Sequence, residues 1–195
     1  MIKNILARLG IVLATSASAQ STGSYEPYKE SHANFLYNLL FCDDLALFKN
    51  DNTAKSSTLW KTLLADSPDF SALEKIAVNQ EEESRVRALA YNRLRAGGHT
   101  VPSKQLLGVV VEVPLAQGLD TLAAYPDGRV RYLNQSGKVA IFEGGAPEVE
   151  ALAKELVAAS QSLVNAIGPW DKKRLPPPRP GNVRITFLVS DGLYF

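Results

Sequence analysis

A chain of 195 residues is long enough for one compact domain, or for two small lobes that share a core. Its 46% hydrophobic residues are typical of a globular protein, and its 21% charged residues do not indicate disorder. The net charge of +1 gives no electrostatic reason to expect nucleic acid or anionic lipid as a partner.

Side chains that bind metals strongly are scarce in this sequence. Cys42 is the single cysteine, and the two histidines, His32 and His99, lie far apart. An intramolecular disulfide is impossible, and a structural zinc site needs four nitrogen or sulfur ligands at short spacings. The composition therefore predicts no metal and no cofactor.

The first twenty residues have the pattern of an export signal. A basic start precedes an apolar run over residues 9–14, and residues 17–19 are Ala-Ser-Ala, the small residues that a signal peptidase requires. The pattern predicts a signal peptide over residues 1–19 and a periplasmic or secreted protein. Because Arg8 shortens the apolar run, the alternative is a cytoplasmic protein with a disordered leader, or with a misassigned start codon ahead of the folded part. No segment reaches the roughly 20 apolar residues of a membrane-spanning helix, so we expect no integral membrane association.

The N-terminal half of the remaining chain is predicted to be helical. Residues 20–33 are polar and indicate a linker, and residues 34–98 form a helical subdomain with apolar residues three to five positions apart. The expected helices cover residues 34–48, residues 59–64, a segment that starts at Ser67-Pro68, and residues 81–96.

The C-terminal half, residues 104–195, changes to an extended pattern. The expected strands cover residues 107–115, 119–125, 129–134 and 139–142. Short turns join them, at Pro126-Asp127-Gly128 and at Ser136-Gly137, which indicates an antiparallel meander.

A long helix follows the meander and extends from Pro147 to residue 167. Its apolar stripe comprises Val149, Leu152, Leu156, Leu163, Val164 and Ile167. The proline-rich residues 175–181 are expected to be stiff and extended, and residues 183–189 form a returning strand. The predicted fold class is α+β: a helical N-terminal half, an antiparallel β-meander, one long helix and a returning strand. We expect the long helix to cover one sheet face and some of the N-terminal helices to share that core.

Residues 106–134, with the sequence LLGVVVEVPLAQGLDTLAAYPDGRVRYLN, are similar to a group of bacterial proteins without an assigned function. The likeness extends through Ile167-Gly168-Pro169-Trp170 to residue 195. No activity, ligand or catalytic residue is attached to that group, so the resemblance implies no chemistry for this chain.

Cys42 is the first of two candidates for catalytic chemistry. A nucleophilic cysteine needs a nearby base and a lowered pKa, whereas Asp43 and Asp44 follow it directly and their negative charge would raise the thiol pKa. No histidine lies at helical contact spacing. The favoured interpretation is a buried structural thiol on an apolar helix.

Glu112 is the second candidate, because it is the only charged residue within residues 109–113. The favoured interpretation is a cross-strand ion pair with an arginine of the third strand, such as Arg131. The alternative is a polar ligand site on the open sheet face, built from Glu112, Asp120 and Arg131.

Trp170 and the prolines Pro176, Pro177 and Pro178 form the candidate interaction surface. Aromatic grooves of other proteins bind proline-rich segments. The commoner role of such a segment is that of a rigid connector, with Trp170 held against the domain, and this is the favoured interpretation.

No metal cluster, catalytic triad or phosphate loop is evident in the sequence. We therefore favour a non-catalytic binding or accessory protein with a protein partner, and the oligomeric state is left open. The alternative is a hydrolase-like enzyme built around Glu112, Asp120 and Arg131, or around Cys42. A deep polar pocket with converging titratable groups would favour the enzyme, and a flat or apolar patch would favour the binding protein.

Overall fold

A computed structural model describes residues 24–49 and 57–195. The signal peptide predicted over residues 1–19 lies outside the described residues and stays a prediction. Within the described ranges, no helix is both long enough and apolar enough to cross a membrane.

Five helices precede the sheet in the described part of the chain. They are α1 (Ser31–Leu39), α2 (Leu45–Lys49), α3 (Thr58–Leu64), α4 (Phe70–Val78) and α5 (Ser84–Ala96). The prediction of one helix over residues 34–48 is wrong, because a turn over residues 40–44 separates α1 from α2. Cys42 lies in this turn with a φ of 51°. Helix α4 does not begin at Ser67-Pro68, because Asp69 is its cap and accepts a hydrogen bond from the Ala72 amide.

The second half of the chain forms a six-stranded antiparallel sheet and one long helix. The elements are β1 (Leu106–Leu115), β2 (Gly118–Ala124), β3 (Val130–Leu133), β4 (Val139–Phe142), α6 (Pro147–Ala166), β5 (Arg184–Val189) and β6 (Gly192–Tyr194). The strand order is β4-β3-β2-β1-β5-β6. The α+β class and the meander are confirmed. Strand β6 was not predicted, because its three residues follow a turn at the chain's end.

The sheet separates two apolar cores, because successive side chains of a strand point to opposite faces. Helices α1–α5 pack on the face that carries Val110, Ala123 and Leu188. Helix α6 packs on the other face, against Val109 and Phe187 among others. The expectation that some of the N-terminal helices share the core of the long helix is therefore wrong.

Helix α6 covers only one end of its sheet face. A Cβ atom at Gly128, in the β2–β3 turn, would lie 3.2 Å from Glu150 Cβ and from Lys154 Cε. Gln161 donates a hydrogen bond to the Lys104 carbonyl, just before β1. The helix thus lies across the end of the sheet where β1 begins and β2 ends.

Candidate functional site

The structure does not bring Glu112, Asp120 and Arg131 together. Glu112 and Arg131 lie on the helical face, but β2 separates their strands. The Asp120 side chain is on the α6 face, where it accepts a hydrogen bond of 2.8 Å from the Tyr132 hydroxyl. Arg131 is buried and forms an ion pair with Glu143. These three residues therefore do not line one polar site.

Glu112 is buried, with 1% of its surface exposed, and its direct partner is Tyr37 of α1. The Tyr37 hydroxyl donates a hydrogen bond of 2.7 Å to Glu112 Oε1. Burial raises the pKa of the Glu112 carboxyl, while this hydrogen bond and the positive charges of Arg184 and Arg174 lower it. Arg184 is opposite Glu112 on β5. Glu112 was expected to pair with an arginine of the third strand, such as Arg131, but its hydrogen-bond partner is Tyr37 of the helical layer.

Arg174 organises a buried polar network that the sequence did not indicate. Its Nε donates to Asp43 Oδ2 at 2.9 Å, and its Nη2 donates to Asn38 Oδ1 at 2.8 Å. The guanidinium lies 3.9 Å from the centroid of the Phe41 ring. The Tyr25 hydroxyl donates to the Arg174 carbonyl at 2.6 Å. These contacts fix the segment between α6 and β5 to α1 and to the turn that follows it.

A cleft of about 260 Å³ borders this network, and Asp43, Arg95 and Lys172 are among its lining residues. Burial raises the pKa of Asp43, and the charge of Arg174 opposes that effect. Asp43 Oδ1 has no hydrogen-bond partner among the described residues. Because Asp43 and Arg174 bind each other, the cleft exposes a cationic rim rather than a pair of free catalytic groups.

The Cys42 thiol is expected to react slowly in the native protein. Burial, together with the negative charge of Asp43, raises the thiol pKa to about 12, and the positive charge of Arg85 opposes this shift. Only the thiolate is nucleophilic, so labelling by a disulfide reagent at neutral pH should be at least about 100-fold slower than in the unfolded chain. Labelling in guanidinium chloride provides the reference rate. Comparable rates in the two states would favour the cysteine-based enzyme.

The segment around Trp170 lies against the protein. The Trp170 amide donates a hydrogen bond of 2.7 Å to the carbonyl of Leu193 in strand β6. The Pro176 carbonyl accepts a hydrogen bond from the Arg184 guanidinium, and residues 177–178 are half-buried. These contacts support a connector that returns the chain to the sheet.

The end of the α6 sheet face that α6 leaves open is apolar. Ile185 is opposite Val111, and Val111 is opposite Leu122, so their side chains form a row across three strands. Val111 and Leu122 are half-buried at the margin of the core beneath α6, and Ile185 is exposed by 38%. Leu115 at the end of β1 and Val183 before β5 extend the row and are exposed by 37% and 61%.

One flank of α6 forms a wall beside this apolar row. Glu150, Lys154 and Gln161 lie on the flank that contacts the beginning of β1 and the β2–β3 turn. Leu152 and Leu163 project from the opposite flank, toward the open end of the face, and are exposed by 65% and 51%. Both belong to the apolar stripe of α6, but the sheet does not cover this part of the stripe. We call the wall and the row together the apolar trough, formed by Val111, Leu115, Leu122, Leu152, Leu163, Val183 and Ile185.

Exposed apolar residues are concentrated in the trough. Eight large apolar side chains are exposed among the described residues, and five of them are trough residues. The other three are Phe35, Val78 and Ile141. Single exposed apolar residues are normal, whereas contiguous ones mark interaction sites. The trough is therefore the strongest candidate functional site in the described chain.

Comparison with protein-family models, curated proteins and solved structures gave no match. The likeness of residues 106–195 to bacterial proteins without an assigned function is thus untested and stays a prediction. Residues 24–49 and 57–195 contain no group of three or more side chains placed to hold a metal ion.

Proposed function

We propose that the protein is a non-catalytic binding protein whose partner docks in the apolar trough. The observation that carries this proposal is the concentration of exposed leucine, isoleucine and valine side chains along one open half of a sheet and one flank of a helix. Apolar surface left in water is costly, at about 25 cal/mol per Å². A partner that covers the trough removes that cost, which is the usual driving force of protein association.

The positions and pKa values of the groups on which a hydrolase would depend favour a binding protein over an enzyme. Glu112 is buried beneath α1 and hydrogen-bonded to Tyr37, and Asp120 lies on the opposite sheet face. Burial raises the pKa of the Cys42 thiol to about 12, so it is a poor nucleophile at neutral pH. Catalysis requires such groups to converge on a reacting atom within hydrogen-bond reach, and these do not.

Site-specific photo-crosslinking in cells tests the proposal. A photoreactive amino acid replaces Leu152 or Ile185 in the trough, and matched proteins carry it at Val78 or Ile141, which are comparably exposed elsewhere. Irradiation should give one adduct of defined mass from both trough positions and none from the control positions. The same adducts from all four positions, or none from any, would contradict the proposal.

A further inference from the structure

We infer that the element that binds the apolar trough is an amphipathic α-helix with lysine or arginine along its flank. This inference rests on the proposed function and specifies the chemistry of the partner. Two independent features of the trough support it. The first is the shape and hydrogen bonding of its floor and wall, and the second is the charge of the side chains that border it.

A strand added to the sheet cannot cover the floor of the trough. Strands β1 and β2 are paired on both sides there. Strand β6 pairs with β5 only at residues 187–189, but a strand added at the free edge beside Ile185 would extend the sheet and leave its face uncovered. Strand addition needs an unpaired sheet edge that offers backbone hydrogen bonds. A binding element must therefore satisfy its own backbone hydrogen bonds, which an α-helix does.

The wall of the trough matches the dimensions of a helix. Leu152 and Leu163 are eleven residues apart on α6, which is about 16 Å along the helix axis. A second helix packed at about 8–10 Å from α6 would contact both leucines and the row of Val111, Leu122 and Ile185 beneath it. About three turns with apolar residues at i, i+3, i+4, i+7 and i+11 cover this length.

Carboxylates border the trough and determine the charge of its partner. Glu148 and Glu155 are exposed on α6, between its solvent side and the flank of Leu152. Asp120 lies on the floor face of β2. Neither glutamate forms an ion pair within the described ranges. Complementary charges at a rim accelerate association and reject partners of the same charge, so a basic helix is favoured over an acidic one.

Charge also argues against a second copy of the chain as the occupant. A two-fold interface places the same patch on both sides. Two facing troughs would bring Glu148 and Glu155 of each copy near those of the other.

Residues 2–13 of this chain are another occupant to be tested, since their apolar residues have helical spacing and Lys3 and Arg8 lie between them.

A peptide-binding experiment on the full chain tests the inference. The probes are two labelled synthetic 16-residue peptides with leucine at the same helical spacing, one with lysine and one with glutamate at the remaining positions. Fluorescence anisotropy should show that the lysine peptide binds at least about tenfold more tightly. Leu152→Ser should weaken this binding about tenfold, because a buried leucine contact is lost, whereas Val78→Ser should leave it unchanged.

Charge reversal provides the second arm of the experiment. Glu155→Lys should weaken binding of the lysine peptide about three- to tenfold and reduce its dependence on salt. Glu81→Lys, at an exposed glutamate before α5, is the matched control and should have no effect. Equal binding of both peptides, or equal effects of Leu152→Ser and Val78→Ser, would overturn the inference.

The inference requires that a separate partner supplies the helix, and two further results would overturn it. The first is a concentration-dependent dimer in sedimentation velocity that Leu152→Ser dissociates. The second is a rise of about tenfold in peptide affinity on Leu6→Asp, which would mean that residues 2–13 of this chain, and not a separate partner, occupy the trough. If cross-links form at positions 152 and 185 but the lysine peptide does not bind, the helix inference fails and the proposed function stands.

Discussion

Arg174→Met is expected to lower the free energy of unfolding by about 3–5 kcal/mol, the usual effect of removing one partner from a buried ion pair. The substitution preserves most of the side-chain volume but removes the charge, which leaves Asp43 buried without its cation. It also removes the hydrogen bond to Asn38 and the stacking on Phe41. Guanidinium chloride unfolding, followed by tryptophan fluorescence, measures the change.

Two variants separate this effect from a general loss of charge. Lys172→Met makes the same change at an exposed neighbour and should alter stability by no more than about 0.5 kcal/mol. In the double variant Asp43→Asn/Arg174→Met, part of the loss should be recovered, because no unpaired carboxylate then remains. A loss below about 1 kcal/mol for Arg174→Met would show that the network is not structural.

Tyr37→Phe is expected to cost about 1–3 kcal/mol at neutral pH, because it leaves the buried Glu112 carboxylate without its hydrogen-bond donor. The cost should depend on pH. Burial raises the pKa of Glu112 in the folded protein, so the ionised form is stabilised less in the folded chain than in the unfolded one. The contribution of Glu112 to stability is therefore fully present below its ordinary pKa and is lost as the pH rises through its folded pKa.

Loss of the Tyr37 hydroxyl raises the folded pKa of Glu112 further, since that hydrogen bond favours the carboxylate. The difference between Tyr37→Phe and the native chain should consequently be smaller at about pH 4 than at neutral pH. In a Glu112→Gln background this pH dependence should disappear. Tyr132→Phe, which removes a hydrogen bond to the half-exposed Asp120, is the control and should cost less than about 1 kcal/mol. The same cost of Tyr37→Phe at about pH 4 and at neutral pH would contradict the conclusion that the Tyr37 hydroxyl stabilises the ionised Glu112 carboxylate.

Local patterns in the sequence were sufficient to predict most of the sheet. Alternating apolar residues and glycine-containing turns identified the strands of the meander, and Pro147 marked the start of α6, because these signals depend on neighbours in the chain. The turn at Cys42 was missed, since the apolar residues on both sides of it keep a helical spacing.

The two features that matter most for function could not be predicted in this way. Arg174 and Asp43 are 131 positions apart, and no local pattern indicates that an arginine in a proline-rich segment will be buried. Leu152 and Leu163 have the same spacing as the core residues of α6. Periodicity identifies an apolar stripe, but only the position of the helix on the sheet shows which part of the stripe remains uncovered.

The position of β1 in the sheet has a consequence for synthesis of the chain. Strand β1 is central, yet one of its two neighbours is β5, since Val109 pairs with Phe187. While the ribosome is still making the residues in between, β1 has one unpaired edge, and three consecutive valines (residues 109–111) lie along it. Such an edge can pair with another nascent chain and aggregate. Strand β5 is therefore the element that pairs the last free edge of β1. Until β5 is synthesised, α1–α5, which are made earlier, can cover one face of β1.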